Sequence, residues 1–380
     1  MNILVRATDA PRAVSTAEDR AALVDAVRRL LADRSDKAAV RRTLTTEAGY
    51  DAGLWRDLAA LGVAGLIIDE VDGGTGLGAV ELELVAEEIG AALVCGPFLS
   101  SSVLAAALLQ ALGRREHLPA IAAGTLIVTV AVAGQKGGWT RDDVGVIANG
   151  GELSGVAGFV LDAQNADLLL VVARGLDGIG IFEVPTNSPG LKIESLPTFD
   201  RSRRLAHVHF SGVKGRPIGV GWAAVEKALD VARIALAGEQ AGGAREMLAR
   251  TAEYAKQRFQ FGRAIGSFQA IKHMAADLLL ESESSISAAR NAAELFDAGA
   301  EGADLAIALA SFACADAFVR VCADAIQMHG GIGFTWEHPA HLYLRRARSG
   351  AQLFGSSAFY RERFVQVLAG PSPEVEHADQ

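Results

Sequence analysis

Cysteine is scarce in this chain of 380 residues: only Cys95, Cys314 and Cys322, each in an Ala/Val/Leu-rich stretch. Three scattered thiols make neither a disulfide framework nor a zinc set. They are expected as small buried hydrophobes in a reducing compartment. Positive charge is also the minority, with Lys+Arg 36 against Asp+Glu 45, a formal charge of −9 and a pI near 5.5. That balance argues against a nucleic-acid binder, which presents a basic face. No uncharged apolar run reaches the ~18 residues of a membrane span. The nearest, Pro119 to Gly134, is interrupted by glycine and threonine. The first residues carry no long apolar stretch, so no signal peptide is expected and the chain is read as soluble and cytoplasmic.

Apolar material is plentiful. Half the residues are hydrophobic and 21% are charged, which excludes a disordered or fibrous chain. At ~100–200 residues per domain, two or three domains are expected. The texture divides the chain at 1–121, 122–216 and 217–380. The first part is helical, with Leu54, Leu58 and Leu61 on one face and Leu82, Val85 and Ile89 on another. Between those faces lies Asp69-Glu-Val-Asp-Gly-Gly-Thr-Gly-Leu-Gly78. It lacks the phosphate-loop lysine and follows a helix pattern, so it reads as an inter-helix connection. The middle part is β-branched and broken by Gly-Gly, Asn-Gly and Pro-Gly. Its runs Leu126–Val132, Leu168–Val172, Gly178–Val184 and His207–Phe210 predict an antiparallel barrel or sandwich. The last part returns to long Ala-rich helices over Val225–Gln257, Ala270–Ala298 and Leu305–Met328, expected to pack as a four-helix bundle. Gly238, Gly242 and Gly243 inside the first of these allow close helix approach. The fold class is therefore α+β, in the order helices, sheet, bundle.

Three segments carry candidate chemistry: Arg258-Phe-Gln-Phe-Gly-Arg-Ala-Ile-Gly-Ser-Phe-Gln269, Gln327-Met-His-Gly-Gly-Ile-Gly-Phe334, and the stretch from Leu342 to Ser356. Arg258 suits a bidentate phosphate contact, Phe261 offers an aromatic face, and Gln269 an amide for a ribose or base edge. Gly330 and Gly331 let backbone amides approach a pyrophosphate. Singly, each is as readily a helix terminator beside a surface arginine. His329, His338 and His341 lack a completing carboxylate or cysteine and are read as surface or capping residues. Arg201-Ser-Arg-Arg204, with Lys214 and Arg216, is read as a solvated charge cluster.

In order and spacing, the segments resemble the acyl-CoA dehydrogenase family of flavoproteins. The matching residues are Arg258, Phe261, Gly262, Ile265, Phe268 and Gln269, then Gln327, Gly330, Gly331, Gly333 and Phe334, then Arg345. Leu54-Trp-Arg-Asp-Leu-Ala-Ala-Leu-Gly62, the Gly73-Gly74 loop and Glu87-Glu-Ile-Gly90 also look like the family. The resemblance implies that Arg258, Phe261, Gln269, Gln327, Gly330 and Gly331 reach across a subunit interface. There they would hold the ADP half of an FAD bound mainly by the neighbouring chain. It implies a dimer or tetramer, an acyl-CoA substrate and an electron-transfer flavoprotein as electron acceptor. Gly355 and Ser356 match the end of the family's catalytic loop, and Arg233 matches an arginine at the substrate site.

The catalytic base does not match. The family's glutamate position falls on Phe354, and the alternative position, on the first bundle helix before the arginine, falls on Ala232. Glu239, two helical turns on, is a candidate displaced base, although two turns is ~11 Å. Otherwise the chain is a base-less, FAD-gripping partner in a mixed oligomer with a paralogue, holds its base elsewhere, or is a binding protein that has lost the reaction. The β-domain segments that cover the flavin ring in the family read Val130-Ala-Val-Ala-Gly-Gln-Lys-Gly-Gly-Trp-Thr140 and Gly158-Phe-Val-Leu-Asp162 here. They lack most of the hydroxyl donors, with Trp139 as a lone aromatic, so less than one flavin per chain is expected from the chain alone.

Overall fold

A computed structural model describes residues 15–369. The polar tail expected from Pro371 lies outside the described residues. The N-terminal helices are α1 (Ala17–Arg34), α2 (Lys37–Leu44), α3 (Ala52–Ala60) and α4 (Ala79–Ala92). Local chemistry starts them. Thr16 and Asp19 form a reciprocal capping box, Asp36 caps α2, and Asp51 caps α3. The glycine-rich segment is the expected connection. Gly73 turns at φ +81°, and Gly76 N–H returns to the Ile68 carbonyl at 2.8 Å. A π-helical stretch, Phe98–Ala105, then runs into α5 (Ala106–Ala111), and α6 (Leu118–Ala122) leads to the sheet.

The sheet has eight strands: β1 (Val128–Ala131), β2 (Val146–Asn149), β3 (Glu152–Leu161), β4 (Leu168–Gly175), β5 (Gly178–Pro185), β6 (Leu191–Ser195), β7 (Leu205–Lys214) and β8 (Arg216–Val220). Seven lie in the order β6-β7-β3-β2-β4-β5-β8, and β1 joins β4. The expected antiparallel pairing holds for β3–β7, β4–β5, β6–β7 and β5–β8. It fails at β4, which runs parallel to β1 and touches β2 in parallel. The β2–β3 hairpin intervenes between β1 and β4, and such a crossover returns the chain in the same direction. The sheet also continues past its expected end at Arg216 to Val220, where Gly221 at φ +92° turns the chain toward the bundle.

The bundle is built on α7 (Ala223–Gln257), α8 (Gln269–Asp297) and α9 (Ala303–His329), with α10 (Ala340–Gly350) and α11 (Ser357–Ala369) against them. Between α7 and α8 lies a small hairpin, β9 (Phe259–Gln260) and β10 (Arg263–Ala264). By length and composition α9 and the turn after it would cross a membrane; here α9 packs against α7, α8, α10 and α11. The α7 glycines act as the sequence implies. A Cβ on Gly242 would stand 1.9 Å from the Glu87 carbonyl oxygen of α4, and one on Gly238 2.7 Å from that of Glu83. Gly90 of α4 returns the contact, with a Cβ placed 1.9 Å from the Glu239 carbonyl oxygen. Two backbones thus touch along an N-terminal helix and a bundle helix, and no other residue type permits it. All three cysteines are buried and free.

Candidate functional site

The first two motif segments meet at one end of the bundle. Tyr254, one turn before Arg258 on α7, stacks on His329 at the end of α9, with 4.4 Å between ring centroids. Its hydroxyl donates to the His329 carbonyl at 3.2 Å, immediately before Gly330. Arg258 ends α7 and accepts from the Ile265 amide at 2.8 Å, which closes the hairpin. Phe261 and Gly262 form its two-residue turn at φ +55° and +76°, the positive pair that a tight hairpin demands. A phenylalanine rarely tolerates such a backbone, and Phe261 is 92% exposed. Gln269 opens α8, exposed, behind Phe268. Gln327 is exposed on the last turn of α9, and beyond it Gly330 takes φ +65°, ψ −148°, a conformation open to glycine. Added Cβ atoms at Gly262, Gly330 and Gly331 would meet nothing within 4 Å.

Six of the named cofactor residues therefore surround one exposed end: a guanidinium, an aromatic face, two primary amides and a glycine pair. With Phe259, Phe334 and Trp336 also exposed, this end is a solvent-facing apolar patch with polar arms. The donor set fits a diphosphate joined to a purine: Arg258 for the phosphates, Phe261 for the ring, Gln269 and Gln327 for hydroxyl or base edges. Exposed apolar area of this kind is characteristic of interaction surfaces. The neighbouring histidines divide, His338 matching the capping reading and the other two lying inside the fold. His329 and His341 are buried, and His338 accepts the Ala340 amide at 3.2 Å, which starts α10.

The base-position loop is built differently. Phe354 is fully buried at φ +58°, its ring edge-on to Trp139 with centroids 5.0 Å apart. The Tyr360 hydroxyl donates to the Phe354 carbonyl, and Arg233 Nε donates to that hydroxyl at 2.7 Å. Arg233 is otherwise held by Glu226 at 2.9 Å and Asp230 at 2.6 Å, with 3% of its side chain exposed. It anchors α11 and the loop, with Nε and Nη1 both bonded to partners within the chain. Gly355 and Ser356 continue the loop into α11. A Cβ on Gly355 would meet the Tyr360 ring at 2.8 Å, and Ser356 Oγ accepts the Phe359 amide at 3.3 Å to start α11. Ala232 is buried and offers no acid–base group.

Glu239 is also buried, two turns along α7. Both its oxygens accept from Arg203 Nη2, at 2.6 and 2.7 Å, and Oε1 accepts from Arg346 at 2.9 Å. Burial alone would raise the carboxyl; Arg203 and then Arg346 overcome it and hold Glu239 below the usual range. A carboxylate so saturated is a poor proton acceptor, which does not fit a displaced base. Arg203 thus leaves the solvated cluster to which the sequence assigned it, and Arg204 leaves it too, donating to the Thr46 carbonyl at 2.7 Å. Only the pairing partners, distant in sequence, reveal this.

Beside Glu239 lies a small pocket at the junction of the three parts, lined by Phe98, Leu99, Leu161, Asp162, Arg203 and Arg346 among others. Asp162 is a carboxyl that the sequence did not single out for chemistry. It ends β3, accepts from Ser100 at 2.6 Å, and burial pushes it up to about 6 against the pull of Ser100 and Arg203. Arg345 of the third segment lies over Phe199 and Trp336, at 4.7 and 5.7 Å from their centroids.

Comparison with known proteins agrees with this layout. Residues 17–125 match the family model for the acyl-CoA dehydrogenase N-terminal domain, and residues 219–368 that for the C-terminal domain. The chain is 35% identical over 339 residues to acyl-CoA dehydrogenase IpdE2 of Mycolicibacterium smegmatis, covering 89% of this chain and 95% of that one. Among solved structures, a variant of the Tcur3481–Tcur3483 steroid ACAD superposes with a TM-score of 0.85 at 31% identity, over 93% of this chain and 98% of that one. The ChsE4–ChsE5 complex from Mycobacterium tuberculosis does so with a TM-score of 0.86 at 28% identity, over 94% and 99%. The chain belongs to the acyl-CoA dehydrogenase family, the FAD-dependent oxidoreductases that act on acyl-CoA thioesters in lipid breakdown.

Proposed function

We propose that this chain works inside a heteromeric acyl-CoA dehydrogenase, as the subunit that grips the ADP half of an FAD whose catalytic carboxylate comes from a paralogous partner. The assembly converts an acyl-CoA to its 2-enoyl-CoA and passes the electrons to an electron-transfer flavoprotein. Bound FAD supplies the hydride acceptor. This chain's contribution is positional: Arg258 neutralises the diphosphate, Phe261 stacks on the purine, and the Gly330–Gly331 backbone lets the phosphates come close. The carrying observation is Phe354, a sealed aromatic at the position where α-proton removal needs an ionised carboxylate. Two of the solved relatives are described by paired names, Tcur3481–Tcur3483 and ChsE4–ChsE5, which supports a mixed assembly.

A second reading keeps the chemistry in this chain, with Asp162 as the base. It rests on a carboxyl raised to about 6 by burial, close to the range a general base needs at neutral pH. One experiment separates the two. The chain is expressed alone and together with a paralogue encoded beside it, and acyl-CoA-dependent dye reduction and flavin content are measured. Turnover only in the mixture, with less than one flavin per chain, supports the partner role. Full turnover by the chain alone, lost in Asp162→Asn, overturns it in favour of the second reading.

A further inference from the structure

Away from the flavin seam, one cluster of ligating side chains ties the N-terminal helices to the sheet. We propose that Glu116, His117 and Glu183 form a divalent-cation site, and that zinc is the ion their chemistry favours. Glu116 and His117 stand immediately before α6; Glu183 lies on β5. One ligand atom from each falls within 4.8 Å of the others.

Three observations point to a shared ligand. First, His117 Nε2 lies 3.1 Å from Glu116 Oε1 and 3.2 Å from Glu183 Oε1, yet it is buried and hydrogen-bonded to neither. A ring nitrogen this close to two carboxylate oxygens and aligned with neither points into the space between them. Second, Glu183 has a side chain only 5% exposed, and its Oε1 is buried without a hydrogen-bond partner. The ring of His117 lies 3.2 Å from that oxygen, and a buried carboxylate oxygen without a hydrogen bond is favourable ground for a cation. Third, the spacing suits a metal. Ligand atoms around a tetrahedral ion with bonds of about 2.0–2.1 Å stand about 3.3 Å apart, close to both His117 spacings.

Arg216 shapes the site. Its Nε donates to Glu183 Oε2 at 2.8 Å, which turns the other oxygen toward His117, and its Nη2 also meets Glu116. Two carboxylates, one guanidinium and a neutral imidazole sum to one negative charge, so the cluster still attracts a cation. Glu116 Oε1, on a half-exposed side chain, pairs with Arg216 where it stands, so it would bind the ion by exchanging that contact for the metal. One imidazole nitrogen and two carboxylate oxygens, without sulfur, suit zinc, with water in the fourth position. Such an ion would clamp α6 to β5, two parts of the chain far apart in sequence.

Zinc chloride titrated calorimetrically into the chelator-stripped full-length chain, at pH 7.5 with excess magnesium, tests this. One equivalent of zinc is expected to bind. Affinity should fall at least tenfold in Glu116→Gln, an exposed substitution that leaves the fold intact, and binding should vanish in His117→Gln. His209→Gln alters a His–carboxylate pair at 3.3 Å that has no third ligand, and should bind as wild type. Zinc should also raise the thermal midpoint of wild type but not of Glu116→Gln. Absence of a stoichiometric ion, equal affinity in wild type and Glu116→Gln, or equal loss in His209→Gln would each overturn the proposal.

Discussion

The Trp139 ring meets the Phe354 ring edge-on, with planes at 75° and centroids 5.0 Å apart, which couples a loop of the sheet to the loop between α10 and α11. Both rings are buried. Phe354→Ala removes a fully buried aromatic and should cost about 3–5 kcal/mol. Equilibrium denaturation in urea measures this; a loss below about 1 kcal/mol would mean that the two loops do not depend on the contact.

Arg258→Ala acts on the opposite property. The side chain is exposed at the end of α7, so thermal stability of the apoprotein should stay within about 0.5 kcal/mol of wild type. Flavin retained through gel filtration of the assembled complex should fall. Unchanged flavin occupancy would remove Arg258 from the seam.

Glu226 predicts an acid-limb effect. Burial would raise its carboxyl, but Arg233 and Arg363 hold it at about 2, below the ordinary 4.5. A carboxyl lowered on folding contributes stability that is present above 4.5 and lost as pH falls toward 2. Chemical denaturation of Glu226→Gln across that window should therefore show a shallower acid slope than wild type. Parallel curves would refute the assignment.

Glu83 predicts the reverse. It is buried in α4, and burial, then the neighbouring Glu87 carboxylate, raises it well above 4.5. Above 4.5 the unfolded chain has released this proton while the folded chain keeps it, so stability declines as pH rises. Glu83→Gln abolishes that decline, and its advantage over wild type should grow from pH 5 to pH 8. A constant difference between the two would show that Glu83 does not titrate on folding.

Much of this was legible in the residues. The long bundle helices announce themselves by Ala-rich runs, and the α7 glycines by standing where no helix prefers them. The exposed motif end of the bundle was legible because Arg258, Phe261, Gln269, Gln327 and the glycine pair sit in two short stretches. What stayed hidden depends on partners brought together by the fold. Glu239 reads as a free carboxylate until Arg203 and Arg346 arrive from the sheet connection and α10. Nothing in its own stretch shows that Arg233 also meets Tyr360 of α11. The parallel course of β1 beside β4 follows from a crossover, which strand composition does not encode.

The glycine contacts between α4 and α7 bear on how this protein can be cut. Gly90, Gly238 and Gly242 bring the two main chains within touching distance, so neither helix has a complete outer surface of its own. Sequence divides the molecule into three parts, but a cut that separates α4 from α7 would leave a bare strip of backbone on each. Any hybrid that exchanges one part with a relative must therefore carry α4 and α7 together as a matched pair.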